Sequence, residues 1–160
     1  MSDPTELADH IRATWFGADL SDGCLERLAQ IAREYETPPR TRLLREGDDT
    51  TELSILVEGR IALTEHVAGR GSVTLMSAEP GGVFGWSAII PPYRATATVV
   101  SLEPVKVIAV EAEALRAELK ENCVLAAGVY PRLAEALARR LEATRQQLLD
   151  VYGNEQRTPW

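Results

Sequence analysis

The sequence contains few of the residues that usually carry catalysis, crosslinking or metal binding. Its 160 residues include only two cysteines and two histidines. Cys24 and Cys123 are far apart and lack CxxC spacing, so we expect two buried thiols and no disulfide. His10 and His66 lack the spacing of metal ligands, and no Ser-His-Asp set or Walker-type loop is present. We therefore expect a protein that is not an enzyme and that uses no metal or cofactor.

Positive charge and long apolar runs are also scarce. Seventeen Lys and Arg residues against 24 Asp and Glu residues give a formal net charge of −7. Because nucleic acids bind to cationic surfaces, we expect no direct nucleic-acid partner. No apolar stretch reaches membrane-spanning length, and the N-terminus has no basic segment followed by an apolar run. These features predict a cytoplasmic protein without a membrane partner.

The remaining composition fits one compact domain over residues 1–160, with 45% hydrophobic residues. Residues 1–38 carry two helical patterns. Asp3-Pro4-Thr5-Glu6 has the residues of a helix start, and Leu7, Ile11 and Trp15 follow at four-residue spacing. A second helix is predicted from Ser21 or Asp22 through Tyr35, ending before Pro38.

Residues 41–110 change character to short runs of Val, Ile, Leu and Thr separated by glycine or proline turns. Leu53 to Glu58 and Ile61 to Thr64 alternate as half-buried strands do. Ala95 to Ser101 and Val105 to Val110 read as two further strands. Regular turns between short strands predict an antiparallel β-barrel or sandwich.

Helical spacing returns in residues 111–152, as a short helix and then a long one from about Val124 to Tyr152, before a loose tail at residues 153–160. One stripe of the long helix repeats at spacings of three and four. Its members are Leu133, Leu137, Leu141, Thr144, Leu148 and Val151. The stripe fits either packing on the chain's own barrel or the seam of a parallel coiled coil. About 28 residues rising roughly 1.5 Å each exceed a small barrel, so we favour a homodimer through this helix.

Four segments follow one another in an informative order. They are the turn Glu46-Gly47-Asp48, the turn Glu58-Gly59 between two strands, the loop Phe84 to Ala88, and Arg94-Ala95-Thr96-Ala97. In this order they resemble the cyclic-nucleotide-binding domain of catabolite-activator/Fnr-type regulators, protein kinase A regulatory subunits and cyclic-nucleotide-gated channels. The resemblance implies a mainly β fold with flanking helices: a jelly-roll-like antiparallel β-barrel, or double-stranded β-helix, followed by a long dimerisation helix.

The resemblance also implies a site for a small anion, with cAMP or cGMP as candidate ligands. In the family, backbone N–H groups of the loop and one arginine hold the cyclic phosphate, since an anion in a partly dry site needs oriented donors and a cation. A hydroxyl on the long helix reaches the adenine. The positions that match here are Phe84, Gly85, Trp86, Ser87, Ala88, Arg94, Ala95, Thr96 and Thr144.

Two of these positions depart from the family pattern. Trp86 stands where the family has a Glu that accepts a hydrogen bond from the ribose, and losing that bond costs about 1–3 kcal/mol. The indole either fills the ribose space or stacks on a flatter ligand. Counting back from the next strand places Ala95 at the position where the family has its arginine. Arg94 lies one residue earlier, so it either binds the anion or caps a turn at the surface. Arg139, Arg140 and Arg145 either approach the ligand or form a solvated face with Glu135 and Glu142.

Two functions remain open on the sequence alone. The first is a regulatory sensor that binds its ligand between barrel and long helix and signals through the helix or the dimer. The second is a barrel that has lost or exchanged its ligand and acts as a dimeric scaffold for a protein partner. Trp86 in place of the family Glu favours this second function. Direct DNA-binding regulation would need a helix-turn-helix after the long helix, and we expect none because the sequence ends at Trp160.

Overall fold

A computed structural model describes residues 2–155 of the chain as a strand-rich core flanked by helices. The helices are α1 (Pro4–Ala13), α2 (Asp22–Gln30), α3 (Ala112–Glu121) and α4 (Cys123–Glu155). The strands are β1 (Ala32–Thr37), β2 (Arg42–Leu44), β3 (Glu52–Glu58), β4 (Ile61–Val67), β5 (Gly71–Ala78), β6 (Val83–Phe84), β7 (Thr98–Ser101) and β8 (Val105–Glu111). A short 3-10 turn, Trp86–Ala88, follows β6.

The strands form two four-stranded antiparallel sheets. One has the order β1-β8-β3-β6 and the other β2-β7-β4-β5. Side chains from both sheets, among them Leu56, Ile61 and Val99, meet in one core between them. The predicted mainly β fold with flanking helices and a long C-terminal helix is confirmed. We use "barrel" below for these two sheets.

Strand β3 connects this core with a second one. Leu56 points into the core between the sheets, whereas Leu53 and Ile55 join the helices in a separate cluster. Both faces of β3 are therefore buried, and the alternation of half-buried and exposed residues expected for this segment is wrong. A strand with helices on one face and a second sheet on the other has no solvent side for polar residues to occupy.

The boundary between the N-terminal helices and the barrel is also corrected. Helix α2 ends at Gln30, and Ala32–Thr37 is strand β1, so helices do not fill residues 1–38. Strand β1 pairs with β8 over six positions, with Tyr35 opposite Val107. The spacing of Ala32 and Tyr35 fits a helix as well as a strand, and this extended sheet pairing decides the outcome.

Smaller boundaries shift for local reasons. Strand β7 begins at Thr98 and not at Ala95, because the Ala95 N–H donates to Asp48 and its carbonyl accepts from Gly47. Helix α4 includes Gly153, so the predicted tail is wrong at its start, and residues 156–160 lie outside the described residues.

The cysteine prediction holds for one of the two thiols. Both are free, but Cys123 is exposed at the start of α4 while Cys24 is buried. Among residues 2–155, the structure contains no helix long and apolar enough to cross a membrane.

The apolar stripe of α4 changes its role along the helix. Leu133 is buried in the chain's own core, and Leu137 packs against it half-buried. Beyond this point Leu141, Leu148 and Val151 are exposed. The first half of the stripe therefore packs in the chain's own core, whereas the second half presents exposed apolar side chains, although Gln147 of this half donates to the Leu75 carbonyl of β5. The coiled-coil interpretation of the second half stays a prediction.

Candidate ligand site between the barrel and the long helix

The loop after β6 is held in one conformation by contacts on both sides. Gly85 has φ of 71°, and a Cβ there would lie 2.6 Å from the Glu52 carbonyl oxygen, so only glycine fits. The buried hydroxyls of Thr50 and Ser87 lie 2.6 Å apart in a hydrogen bond. On the other side, Arg116 Nη1 donates to the Ala88 carbonyl at 2.9 Å. The loop is thus fixed to the start of β3 and to α3.

The cavity at this loop is almost completely filled. Its volume is about 10 Å³, which is room for roughly one water molecule. The half-buried Trp86 side chain lines it and packs against the core. The Ala88 N–H is already bonded to the Gly85 carbonyl. Of the two interpretations of Trp86, this geometry favours an indole that fills the space.

Arg94 lies outside this cavity. Its side chain is 65% exposed, and its Nε lies 3.7 Å from Oδ1 of Asp49, whose side chain is 81% exposed. The neighbouring Ala95 and Ala97 are buried, at 4% and 5% exposure, so the side chains alternate inward and outward here. The structure therefore does not bring Arg94 to the loop, and its placement matches the interpretation as a surface residue.

The remaining predicted positions divide between the loop cavity and the surface. Phe84, Gly85, Trp86, Ser87 and Thr96 line the loop cavity. Thr144 lies apart on an exposed part of α4, where its hydroxyl donates to the Arg140 carbonyl at 2.9 Å. Because this bond runs back to the preceding turn of the same helix, the Thr144 hydroxyl already has its donor engaged within α4.

A larger cavity of about 340 Å³ lies between the barrel and α4. The elements that form it are β4, β5, β6 with the segment before it, the 3-10 turn, α4 and the turn after α1. The residues that line it are Trp15, Leu63, Met76, Ser77, Ala78, Pro80, Gly81, Gly82, Val83, Trp86, Ala136, Leu137, Arg139 and Arg140. We call it the helix cavity.

Arg140 is a half-buried cation in the lining of the helix cavity. Its guanidinium lies 5.9 Å from the centre of the Trp86 ring, and the residue also lines the loop cavity. Burial lowers the pKa of Arg140, and the carboxylate of Glu65 acts in the opposite direction. Arginine stays charged in proteins despite such shifts. A half-buried guanidinium that has lost part of its water is a favourable partner for an anion.

The other arginines on this face of α4 are already engaged. Arg139 Nη2 lies 2.7 Å from Oε1 of Glu135, and its guanidinium lies 4.7 Å from the centre of the Trp15 ring. Arg132 pairs with Asp19 and Glu135 and also lies over Trp15. Within residues 2–155, no carboxylate forms an ion pair with Arg140.

In the sequence, Arg140 is one of several helical arginines, and the predicted site did not include it. One signal pointed to it, because Arg140 follows Leu137 by three residues and so lies on the same side of α4 as the stripe that packs on the barrel. Trp15 and Met76 gave no comparable signal, since their approach to α4 depends on the folded chain.

The barrel with a fixed loop on one side and a helix across its opening defines a class of ligand-binding regulatory domains. A family model described as the cyclic nucleotide-binding domain matches residues 35–122 of this chain. The chain therefore belongs to the cyclic-nucleotide-binding domain family.

Comparisons with individual proteins agree with this assignment. The crystal structure of a protein from Geobacter metallireducens GS-15, described as a cyclic nucleotide-binding protein, is 28% identical to this chain with a TM-score of 0.75. The match covers 88% of this chain and 99% of the Geobacter chain. A cAMP-binding acyltransferase from Mycobacterium smegmatis is 27% identical with a TM-score of 0.71, covering 88% of this chain and 42% of its own. The acetyltransferase Pat of Mycolicibacterium smegmatis is 31% identical over 106 residues, which are 66% of this chain and 32% of that protein. The chain thus spans about a third of this curated relative.

The Thr50–Ser87 bond gives a first test of how the loop is held. We expect Thr50→Val to lower the free energy of unfolding by about 1–3 kcal/mol, because the buried Ser87 hydroxyl loses its partner. The exposed Thr51→Val is the matched control and should change it by no more than about 0.5 kcal/mol. Urea denaturation measures both values. Equal effects of the two variants would show that the hydroxyl pair does not hold the loop.

Proposed function

We propose that this chain is a regulatory domain that binds a small anionic ligand in the helix cavity and transmits binding through α4. The observation that carries the proposal is the position of Arg140. It is half-buried, lines a cavity of about 340 Å³ and has no carboxylate within 4 Å among residues 2–155. An anion that pairs with it gains a strong charge-assisted bond in a partly desolvated setting.

Transmission through α4 follows from where the helix cavity lies. One wall consists of barrel residues such as Leu63 and Met76, and the other of the α4 residues Ala136, Leu137 and Arg140. A ligand that touches both walls adds contacts only when α4 lies against the barrel. It therefore shifts the population of α4 positions toward that state, by as much as its affinity differs between the positions.

The site proposed here differs from the one that the family resemblance implied. That site used the loop N–H groups with Arg94, and the ligand candidates were cAMP and cGMP. The loop cavity of about 10 Å³ leaves no room for a cyclic phosphate at the loop N–H groups, and Arg94 faces outward while its neighbour Ala95 is buried. We therefore place the anion at Arg140 and not at Arg94.

The proposal is tested with 8-anilinonaphthalene-1-sulfonate, a small fluorescent anion whose rings suit an apolar cavity. We expect it to bind the wild-type protein, and Arg140→Gln to weaken binding roughly tenfold to a hundredfold because the charged bond is lost. Fluorescence titration measures the dissociation constants.

The control for this test is Arg145→Gln, which removes the same charge from an exposed position of α4 outside the cavity lining. It should leave the affinity nearly unchanged. Absence of binding to the folded wild type, or equal weakening by both variants, would refute an anion site at Arg140.

A second candidate function is favoured by the filled loop cavity. With Trp86 in place, the barrel has a complete core near the loop without any ligand. Such a domain suits a dimeric scaffold that presents a constant surface to a protein partner.

Both candidate functions use a homodimer, which we propose forms through the second half of α4. Five large apolar side chains there are exposed by 55% to 62%. They are Leu141, Leu148, Leu149, Val151 and Tyr152. An apolar row of this length on a helix that extends past its own core is typical of a helix pair.

Sedimentation velocity tests the dimer with two substitutions on α4. Leu148→Asp removes one apolar side chain from each protomer, so we expect dimerisation to weaken by roughly a hundredfold or more. Gln146→Asp adds the same charge two residues away, on the opposite side of the helix, and should leave the dimer intact. A wild type that is monomeric at micromolar concentration, or equal effects of both variants, would contradict the dimer.

A further inference from the structure

The chemistry of the helix cavity lining restricts the ligand further than its charge does. Most of the lining consists of apolar side chains from the barrel, α4 and the loop, among them Leu63, Met76, Val83, Trp86 and Leu137. Such a wall excludes water and favours a ligand with a hydrocarbon body. A ligand covered with hydroxyl groups would lose hydrogen bonds to water without regaining them here.

The charges of the cavity allow for one negative group. Arg139 is paired with Glu135 and lies over Trp15, so its charge is already matched. Arg140 is the lining cation with no described carboxylate within 4 Å, although the carboxylate of Glu65 acts on it from farther away. A second negative charge on the ligand would have to enter the apolar wall without a cation, which is unfavourable. The cavity therefore fits a monoanion.

The geometry of Arg140 suits a carboxylate. A guanidinium offers parallel N–H donors that match the two oxygens of a carboxylate. Its present neighbour is the face of Trp86 at 5.9 Å, a weak contact that a carboxylate can replace or share. The hydrocarbon body then lies between β5 and the Leu137 side of α4. The volume of about 340 Å³ is near the lower end of ligand cavities, which run from roughly 300 Å³, so the body is small.

We propose that the helix cavity binds an apolar monocarboxylate, with its acid group on Arg140 and its hydrocarbon body against Leu63, Met76 and Leu137. The inference rests on the anion site proposed above and names its ligand class. Medium-chain fatty acids and aromatic acids share this chemistry, and the experiment distinguishes them.

The test is isothermal titration calorimetry with decanoate, 2-naphthoate and the uncharged decanol. We expect at least one of the two acids to bind the wild type, and decanol to bind at least tenfold more weakly because it lacks the charge. Arg140→Gln should weaken the acid roughly tenfold to a hundredfold, while the exposed Arg145→Gln leaves it unchanged. Circular dichroism checks that each variant is folded. The stronger of decanoate and 2-naphthoate identifies the aliphatic or the aromatic source.

The outcomes separate this inference from the anion site itself. If neither acid binds, or decanol binds as well as decanoate does, the ligand class is wrong. If 8-anilinonaphthalene-1-sulfonate still requires Arg140 in that case, the anion site stands and only its ligand class is refuted. If no probe depends on Arg140, both proposals fail.

Discussion

The position of the Trp86 indole is the constraint on which the site depends. Trp86 belongs to the loop that would hold the anion according to the family resemblance. Its indole fills the space beside that loop, so that a cavity of only about 10 Å³ is left. On its outer side the same ring lies 5.9 Å from the guanidinium of Arg140. One side chain therefore closes the inner cavity and forms part of the wall of the outer one.

The surrounding structure keeps this indole where it is. The Thr50–Ser87 hydrogen bond and the Arg116 bond to the Ala88 carbonyl hold the loop from two sides. Outside the loop, the guanidinium groups of Arg132 and Arg139 on α4 lie over the Trp15 ring, 5.0 Å and 4.7 Å from its centre. Contacts between arginine and tryptophan thus connect α4 to the turn after α1 and to the barrel loop. Such contacts are individually weak, as the proposed response of α4 to a ligand requires.

The general fold could be predicted from the sequence because turns and short apolar runs report it locally. Gly59 and the Glu46-Gly47-Asp48 turn mark strand ends, and the three-and-four spacing marks α4. Strand β1 could not be assigned in this way, because its pairing with β8 joins residues 68 to 78 positions apart and its spacing fits a helix equally well. Local pattern decides an element only where long-range pairing agrees with it.

The site was less predictable than the fold for a similar reason. The presence of Trp86 and the one-residue offset of Arg94 were visible in the sequence, and the structure gives each a physical meaning. Arg94 faces out with Asp49 because its neighbours Ala95 and Ala97 take the inward positions. The role of Arg140 needed the folded chain, since half-burial and the lack of a partner depend on how α4 lies across the barrel.

We propose that the Trp86 indole and the outward placement of Arg94 together prevent a cyclic nucleotide from binding at the loop as the family resemblance implies. Calorimetric titration of cAMP into the wild type, Arg94→Ala and the double variant Trp86→Glu/Ala95→Arg tests it most directly. We expect no binding up to roughly millimolar cAMP for the first two, and micromolar binding for the double variant, which regains an acceptor and a cation. Micromolar binding by the wild type that Arg94→Ala abolishes would show that the nucleotide pocket is open and that Arg94 holds the anion.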